Sequence, residues 1–196
     1  RVHVDYAQTH NQQFLIVVDS YSKWLEVIPM RSTTSTATID ALRTLFACWG
    51  LPERLVSDNG PQFSSGEFSD FARSWNFHHH ISSPLYPKGN ALSEKGVGIA
   101  KKLMTKSKAS GLSPYLVFLE YRNTPLECGY TPAQLLLGRR TKSILPITKQ
   151  ALKPETVHHD AVKSKIMRSK EKQKANYDRQ AKPLKSLAIN DPVRIR

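Results

Sequence analysis

Apolar and polar positions alternate from the first residues. In "RVHVDY", Val2 and Val4 share one face of an extended segment, and His3 and Asp5 the other. "QFLIVVD" is a continuous β-rich apolar run and reads as a buried strand; "SYSK" is turn-like, and "WLEVIPM" reads as a third strand. Three strands with short connections predict an antiparallel meander. The period then changes. In "STTSTATIDALRTLFACWG", Ile39, Leu42, Leu45 and Phe46 fall at helical spacing, with Ser and Thr to cap the start and Gly50 to close the end. "ERLVSD" follows as a short fourth strand. "SGEFSDFARSWN" is a short amphipathic helix on Phe68, Phe71 and Trp75, and "FHHHISS" a fifth strand. "PLYPKGN" is a loop. From Ala91 to about Ser110 the pattern is a helix with a basic face. "SPYLVFLEYRN" and "TPAQLLLG" are two shorter helices, each opened by Ser-Pro or Thr-Pro.

This order defines a topology. If the fourth strand lies parallel beside the first, a right-handed crossover through the intervening helix connects them. Asp5 is then expected at the C-terminal end of the first strand and Asp58 at that of the fourth, where open α/β sheets hold their ligands. Asn59-Gly60-Pro61 stops the chain just after Asp58 and leaves its carboxylate at the rim.

Charge adds a partner. The 196 residues carry 29 Lys and Arg against 16 Asp and Glu, a net +13, which points to a polyanion, nucleic acid ahead of a membrane surface. Residues 150–196 hold 12 Lys/Arg and 5 Asp/Glu, over half of the excess, and "AVKSKIMRSKEKQKANYDRQAK" reads as a long polar helix. "INDPVRIR" reads as a turn and the opening strand of a further module. The expected organisation is therefore a core over 1–148, a basic helical linker over 149–185, and the start of a C-terminal β module over 186–196. The longest apolar run is far too short to span a bilayer, and no secretory signal is visible. The chain begins at Arg1 within a strand and is expected to be a piece of a longer protein. Cys48 and Cys128 offer no zinc spacing and are expected as two buried or half-buried thiols of a reducing compartment.

Glu94, in the first turn of the basic helix, follows Asp58 with 35 residues between them. Each acid has an ordinary reading by itself: Asp58 as a turn-former, Asp5 as a strand-end acid, Glu94 as an acid favoured by the helix dipole. Together they make an all-oxygen site of the kind that suits Mg²⁺ or Mn²⁺, since three converging carboxylates repel without a cation. Two ions can clamp the attacking and leaving oxygens of a phosphodiester. Asp19 is assigned to the hairpin turn after the second strand. The histidines at 78–80 alternate faces along a strand and are not read as a metal site. Trp24, Trp49 and Trp75 are core or interface residues.

"VDYAQ", "LIVVDSYSKWLEV", "LPERLVSDNGPQF", "SSPLYPKGNALSEK" and "LEYRNTPL", in that order, resemble the integrases of retroviruses and gypsy-type LTR retrotransposons. The resemblance runs from Arg1 to about Leu145 and continues more weakly through "KEKQKANYDRQAK". It implies an RNase H-like fold, a five-stranded mixed sheet flanked by helices, here with a basic C-terminal helical extension. It places the D-D-35-E acids on Asp5, Asp58 and Glu94, as catalytic residues and ligands of two Mg²⁺ or Mn²⁺ ions. The implied activity is metal-dependent trimming of element DNA 3′ ends and their in-line joining to target DNA, in the nucleus, by a homodimer or higher oligomer. Two readings stand beside it: an RNase H-like nuclease that only hydrolyses, and a degenerate or host-adopted remnant that binds DNA without catalysis. The family commonly reads Pro-Gln-Ser-Asn-Gly-x-Ala-Glu-Arg through its glutamate, where this chain has Pro87 to Lys95 with Ala91 in place of the glycine. Gly96 and Gly98 are expected to loosen the following helix by about 1 kcal/mol each relative to Ala. Candidate DNA contacts are Asn59 and Gln62 beside Asp58, Tyr86 and Lys88 in the loop, and Lys95, Lys101, Lys102 and Lys106 on the helix.

Overall fold

The computed structural model describes residues 1–9, 11–82 and 91–179. Tyr86 and Lys88, and the expected β module at 186–196, lie outside the described residues. The chain divides into two compact units, Arg1–Val157 and His158–Arg196.

The first unit is built on strands β1 (Val2–Thr9), β2 (Gln12–Asp19), β3 (Leu25–Met30), β4 (Arg54–Ser57) and β5 (His78–Ile81). They form one sheet in the order β3-β2-β1-β4-β5. β1, β2 and β3 pair antiparallel, whereas β4 is parallel to both β1 and β5. The expected meander and mixed five-stranded sheet are both present. Asp19 makes the β2–β3 turn: its Oδ2 accepts from Ser22 N at 2.7 Å, Ser22 Oγ at 2.7 Å and Tyr21 N at 3.2 Å.

Both faces of the sheet are covered, which is why "FLIVV" has no polar interruption. Val4, Leu15, Val17 and Leu55 face α1 (Ser35–Trp49) and α3 (Gly66–Ser74), packing on Ile39, Leu42, Phe46, Phe68 and Phe71. Ala7, Ile16, Val18 and Leu25 face α4 (Ala91–Ala109) and α5 (Pro114–Asn123), meeting Ala100, Met104 and Phe118. Thr34 caps α1 by accepting from Ala37 N, and Gly50 ends it at φ 86°, a conformation that costs glycine little. α2 (Pro61–Ser64) is a single turn, too short to show in the sequence periodicity; Pro61 starts it where its missing N–H is no loss. α6 (Pro132–Leu137) opens on a capping box of Thr131 and Gln134. Gln134 Nε2 also donates to Glu155 Oε2 at 2.8 Å, which ties residues beyond 148 to the first unit.

Arg122 fastens α5 to β3. Its Nε and Nη2 donate to Leu25 O at 3.2 and 2.9 Å, Nη2 pairs with Glu26 at 2.7 Å, and its guanidinium lies 4.5 Å from the Trp24 ring centroid. Trp24 is buried and Trp75 packs at the edge of the core, but Trp49 is 43% exposed, leaning edge-on against Trp24. Cys128 is buried; Cys48 is exposed, contrary to expectation, because it falls on the outward face of α1 two residues after buried Phe46.

In the second unit, α7 (His159–Asp178) is a 20-residue helix with almost every side chain exposed, as its polar sequence predicts.

Candidate active site

The parallel pairing of β1 with β4 sets Val2 opposite Leu55 and His3 opposite Val56. Continued two residues, that register brings Asp5 level with Asp58. Asp5 is not at a strand end, where the sequence alone places it. β1 continues to Thr9 because its other edge stays paired with β2 out to Thr9 and Gln12. What ends short of Asp5 is the pairing with β4, so the carboxyl still meets the rim where β4 stops. Asp5 alternates with Val4 and shares the face of Ala7, the face on which α4 packs.

Asp58 follows the last residue of β4 and is exposed. Its Oδ1 accepts from Gly60 N at 3.1 Å, so it both forms the turn and presents a carboxylate. Glu94, also exposed, projects from the first turn of α4. Asp5 feels both of the other acids. Burial pushes the half-buried Asp5 carboxyl up to about 6, and the charges of Asp58 and Glu94 add to the rise. The Tyr6 N–H, donating to Asp5 Oδ1 at 2.7 Å, and the Lys101 ammonium oppose it.

α4 sits where it does because of Gly96. A Cβ on Gly96 would collide with Val18 Cγ2, whereas one on Gly98 would meet nothing. Gly96 therefore lets the helix carrying Glu94 lie close on β2, a benefit that helix propensity, which counts only a loss at this position, does not register. Lys101 lies two helical turns from Glu94, near enough to act on Asp5. Lys95, Lys102 and Lys106 are exposed along α4; Asn59 is exposed and Gln62 half-buried beside Asp58.

One link lies outside the residues that the sequence singles out. Ser57, fully buried just before Asp58, has its Oγ 2.8 Å from Asp58 O and 2.9 Å from His79 Nε2. For the β5 histidines the sequence raises only the question of metal binding. Period-2 alternation puts His79 on the face of Leu55 and Ser57, and that is the available signal.

The donors fit a hard divalent cation. They are oxygen only, and a half-buried carboxyl raised by burial, with two like-charged neighbours adding to the rise, is a site that a cation relieves. Among the described residues, no group of three or more His, Cys, Asp or Glu side chains, Asp5, Asp58 and Glu94 included, forms a ready-made metal-holding cluster. Mg²⁺ does not demand one, since it keeps several waters and binds through one or two carboxylates plus substrate phosphate oxygens.

Comparison with known proteins agrees with the fold. Residues 2–87 match the family model described as integrase core domain. An uncharacterized protein of Caenorhabditis elegans is 36% identical over 165 residues, covering 78% of this chain and 13% of that protein. The Gag-Pol polyprotein of Walleye dermal sarcoma virus is 30% identical over 137 residues, covering 66% of this chain and 8% of the polyprotein. The chain thus spans about an eighth or less of these relatives' lengths. Among solved structures, a chain of a simian T-cell lymphotropic virus intasome superposes with a TM-score of 0.63 at 25% identity, over 80% of this chain and 59% of that one. The HTLV-2 integrase catalytic core in complex with magnesium superposes with a TM-score of 0.55 at 23% identity, over 69% of this chain and 94% of that one.

Proposed function

The chain belongs to the integrase catalytic cores of retroviral type, with their RNase H-like fold, and from that premise we propose that it is a metal-dependent polynucleotidyl transferase acting on element DNA ends and target DNA. The observation that carries the reading is the parallel β1–β4 register, which when continued brings Asp5 level with Asp58 at the rim where β4 ends, with Glu94 near enough to add to the rise of the Asp5 carboxyl. Asp5, Asp58 and Glu94 would hold two Mg²⁺ or Mn²⁺ ions, which supply charge neutralisation for the phosphodiester and a strong oxygen nucleophile. The chain's own part is placement. β1, paired on both edges near its start, fixes Asp5, and the Tyr6 N–H orients its carboxyl. The Gly60 N–H orients Asp58, and the close seat of Gly96 on Val18 fixes the height of Glu94.

In the first reaction water attacks a phosphodiester near the element terminus, the P–O3′ bond breaks, and the leaving oxygen takes up a proton as a free 3′-OH. In the second that hydroxyl attacks a target phosphodiester; one P–O bond forms, one breaks, and the proton ends on the target's released 3′ oxygen. Bond count is conserved in the joining step, so no external energy source is required. Lys95, Lys101, Lys102 and Lys106 of α4, with Asn59 and Gln62, are candidates to contact phosphates; Tyr86 and Lys88 join them from sequence. The resemblance to an intasome chain supports work on DNA as a dimer or higher oligomer; a nuclear place of action is proposed from the sequence resemblance alone. Among the described residues no helix is long and apolar enough to cross a membrane.

The test is incubation with end-labelled duplex and supercoiled target in Mg²⁺ or Mn²⁺. Joined products support the proposal. Hydrolysed products alone would mark a nuclease, and bound but unchanged DNA a binding remnant.

A further inference from the structure

We propose that His79 is a positioning residue for Asp58, acting through the buried hydroxyl of Ser57. The proposal rests on reading Asp58 as a metal-binding acid of an integrase site. β4 and β5 have only four residues each, so few ladder hydrogen bonds hold the end of β4 in place. Side chains supply the rest. The Ser57 hydroxyl has one hydrogen and gives it to the Asp58 carbonyl oxygen at 2.8 Å. Its lone pairs then accept from His79 Nε2 at 2.9 Å, which makes His79 the Nε2–H tautomer. From the other side, Ser82 N and Ser82 Oγ both donate to the Ser57 carbonyl, at 2.8 and 2.9 Å. The peptide that carries Asp58 is thus held by β5 and by Ser82, which follows it, through the hydroxyl and carbonyl of Ser57.

The imidazole is itself fixed. Its ring lies 4.7 Å from the Phe68 ring centroid, tilted by 56°, and its register partner on β4 is Leu55. Burial, with the charge of His80, lowers the His79 pKa to about 4, so the ring is neutral and the tautomer persists near neutral pH. Ser57 is 0% exposed, and in His79→Leu an apolar side chain takes the imidazole's place and offers the Ser57 hydroxyl no donor. A freed Ser57 rotor would release the Asp58 peptide, and with it the turn in which Gly60 N binds Asp58 Oδ1.

Two readouts test this. In metal-free protein, amide hydrogen exchange at Gly60 should quicken about tenfold in His79→Leu and in Ser57→Ala, the equivalent of one hydrogen bond, while Leu55 and Ala100 amides keep their protection. His79→Gln, whose amide nitrogen can replace Nε2–H, should restore the wild-type rate at Gly60. In the DNA-joining assay, His79→Leu and Ser57→Ala should lower kcat with KM for DNA unchanged, and the double variant should be no worse than either single one, because both cut the same chain of bonds. Unchanged Gly60 exchange in both single variants would overturn the proposal, as would equal acceleration at Leu55 and Ala100. Should the wild type lack DNA chemistry, the catalytic reading fails while the exchange experiment still decides the positioning role. Ser57→Ala, a small buried change, keeps the test available if His79→Leu does not fold.

Discussion

Gly96 of α4 rests against Val18 of β2 so closely that no side chain fits between them. This contact, more than any property of α4 alone, sets where Glu94 stands relative to Asp5.

It separates two glycines that look equivalent in sequence. Gly98→Ala adds a methyl group to open space and should stabilise the protein by about 0.5–1 kcal/mol through helix propensity. For a domain of this size that is a rise in Tm of about 1–4 °C. Gly96→Ala gains the same propensity but must push α4 from β2, at a cost of about 1–3 kcal/mol. Thermal melts of the two variants should move in opposite directions, and Gly96→Ala should also lose DNA-joining activity.

Arg122 is a second structural test. It bonds the Leu25 carbonyl and Glu26 while stacking on Trp24, and both charged side chains are about four-fifths buried. Arg122→Ala should cost about 2–4 kcal/mol in chemical denaturation, because it leaves the Glu26 carboxylate with only the Trp24 indole N–H and no counter-charge, as well as removing the clamp. Arg122→Lys should recover less than half, since an ammonium cannot form the fork and lacks the guanidinium plane that stacks on the indole.

Acid should act through His79. Its folded pKa of about 4 lies below the usual 6.5, so from pH 6.5 down to 4 the unfolded chain takes up a proton that the folded chain refuses. Stability falls across that window as pH drops. Asp5, raised from 3.8 to about 6, binds its proton preferentially in the folded state and opposes the trend over much of the same range. The informative quantity is thus the difference between wild type and His79→Gln. The destabilisation on going from pH 6.5 to 4 should be smaller in the variant; an equal drop in both would contradict the assignment.

The basic tail should add affinity without sequence preference. Truncation after Val157 removes 11 Lys/Arg and 4 Asp/Glu. DNA binding should weaken on every sequence, and the slope of log K against log salt should shrink by about 0.9 for each phosphate the tail had neutralised. An unchanged slope after truncation would count against this.

The sheet order is legible because three periodicities change cleanly: alternation in "RVHVDY", a continuous apolar run in "FLIVV", and helical spacing on Ile39, Leu42 and Phe46. The rim position of Asp58 is legible because Asn59-Gly60-Pro61 flags the end of β4. What stays hidden depends on partners. Asp5 lies mid-strand because β2, not β1's own sequence, sets the strand's length. The value of Gly96 depends on Val18, 78 positions earlier in the chain. His79 matters through Ser57, an interaction between neighbouring strands that no local pattern encodes. Gly60-Pro61 reads as a break, yet proline's fixed φ also starts a helical turn, and the structure uses it so.

The central claim, that Asp5, Asp58 and Glu94 act together as a metal-binding catalytic site, is tested most directly by Glu94→Gln in the DNA-joining assay with Mg²⁺ or Mn²⁺. Gln keeps the size and hydrogen-bonding shape of the side chain and removes its charge. The account predicts that joining and end trimming are abolished while DNA affinity is retained or slightly raised, because a negative charge facing phosphates is gone. Thermal stability should change by no more than a few tenths of a kcal/mol, since Glu94 is exposed and acts on Asp5 only by repulsion. A Glu94→Gln protein that joins DNA as fast as the wild type would contradict the account and reduce Glu94 to an acid that complements the helix dipole.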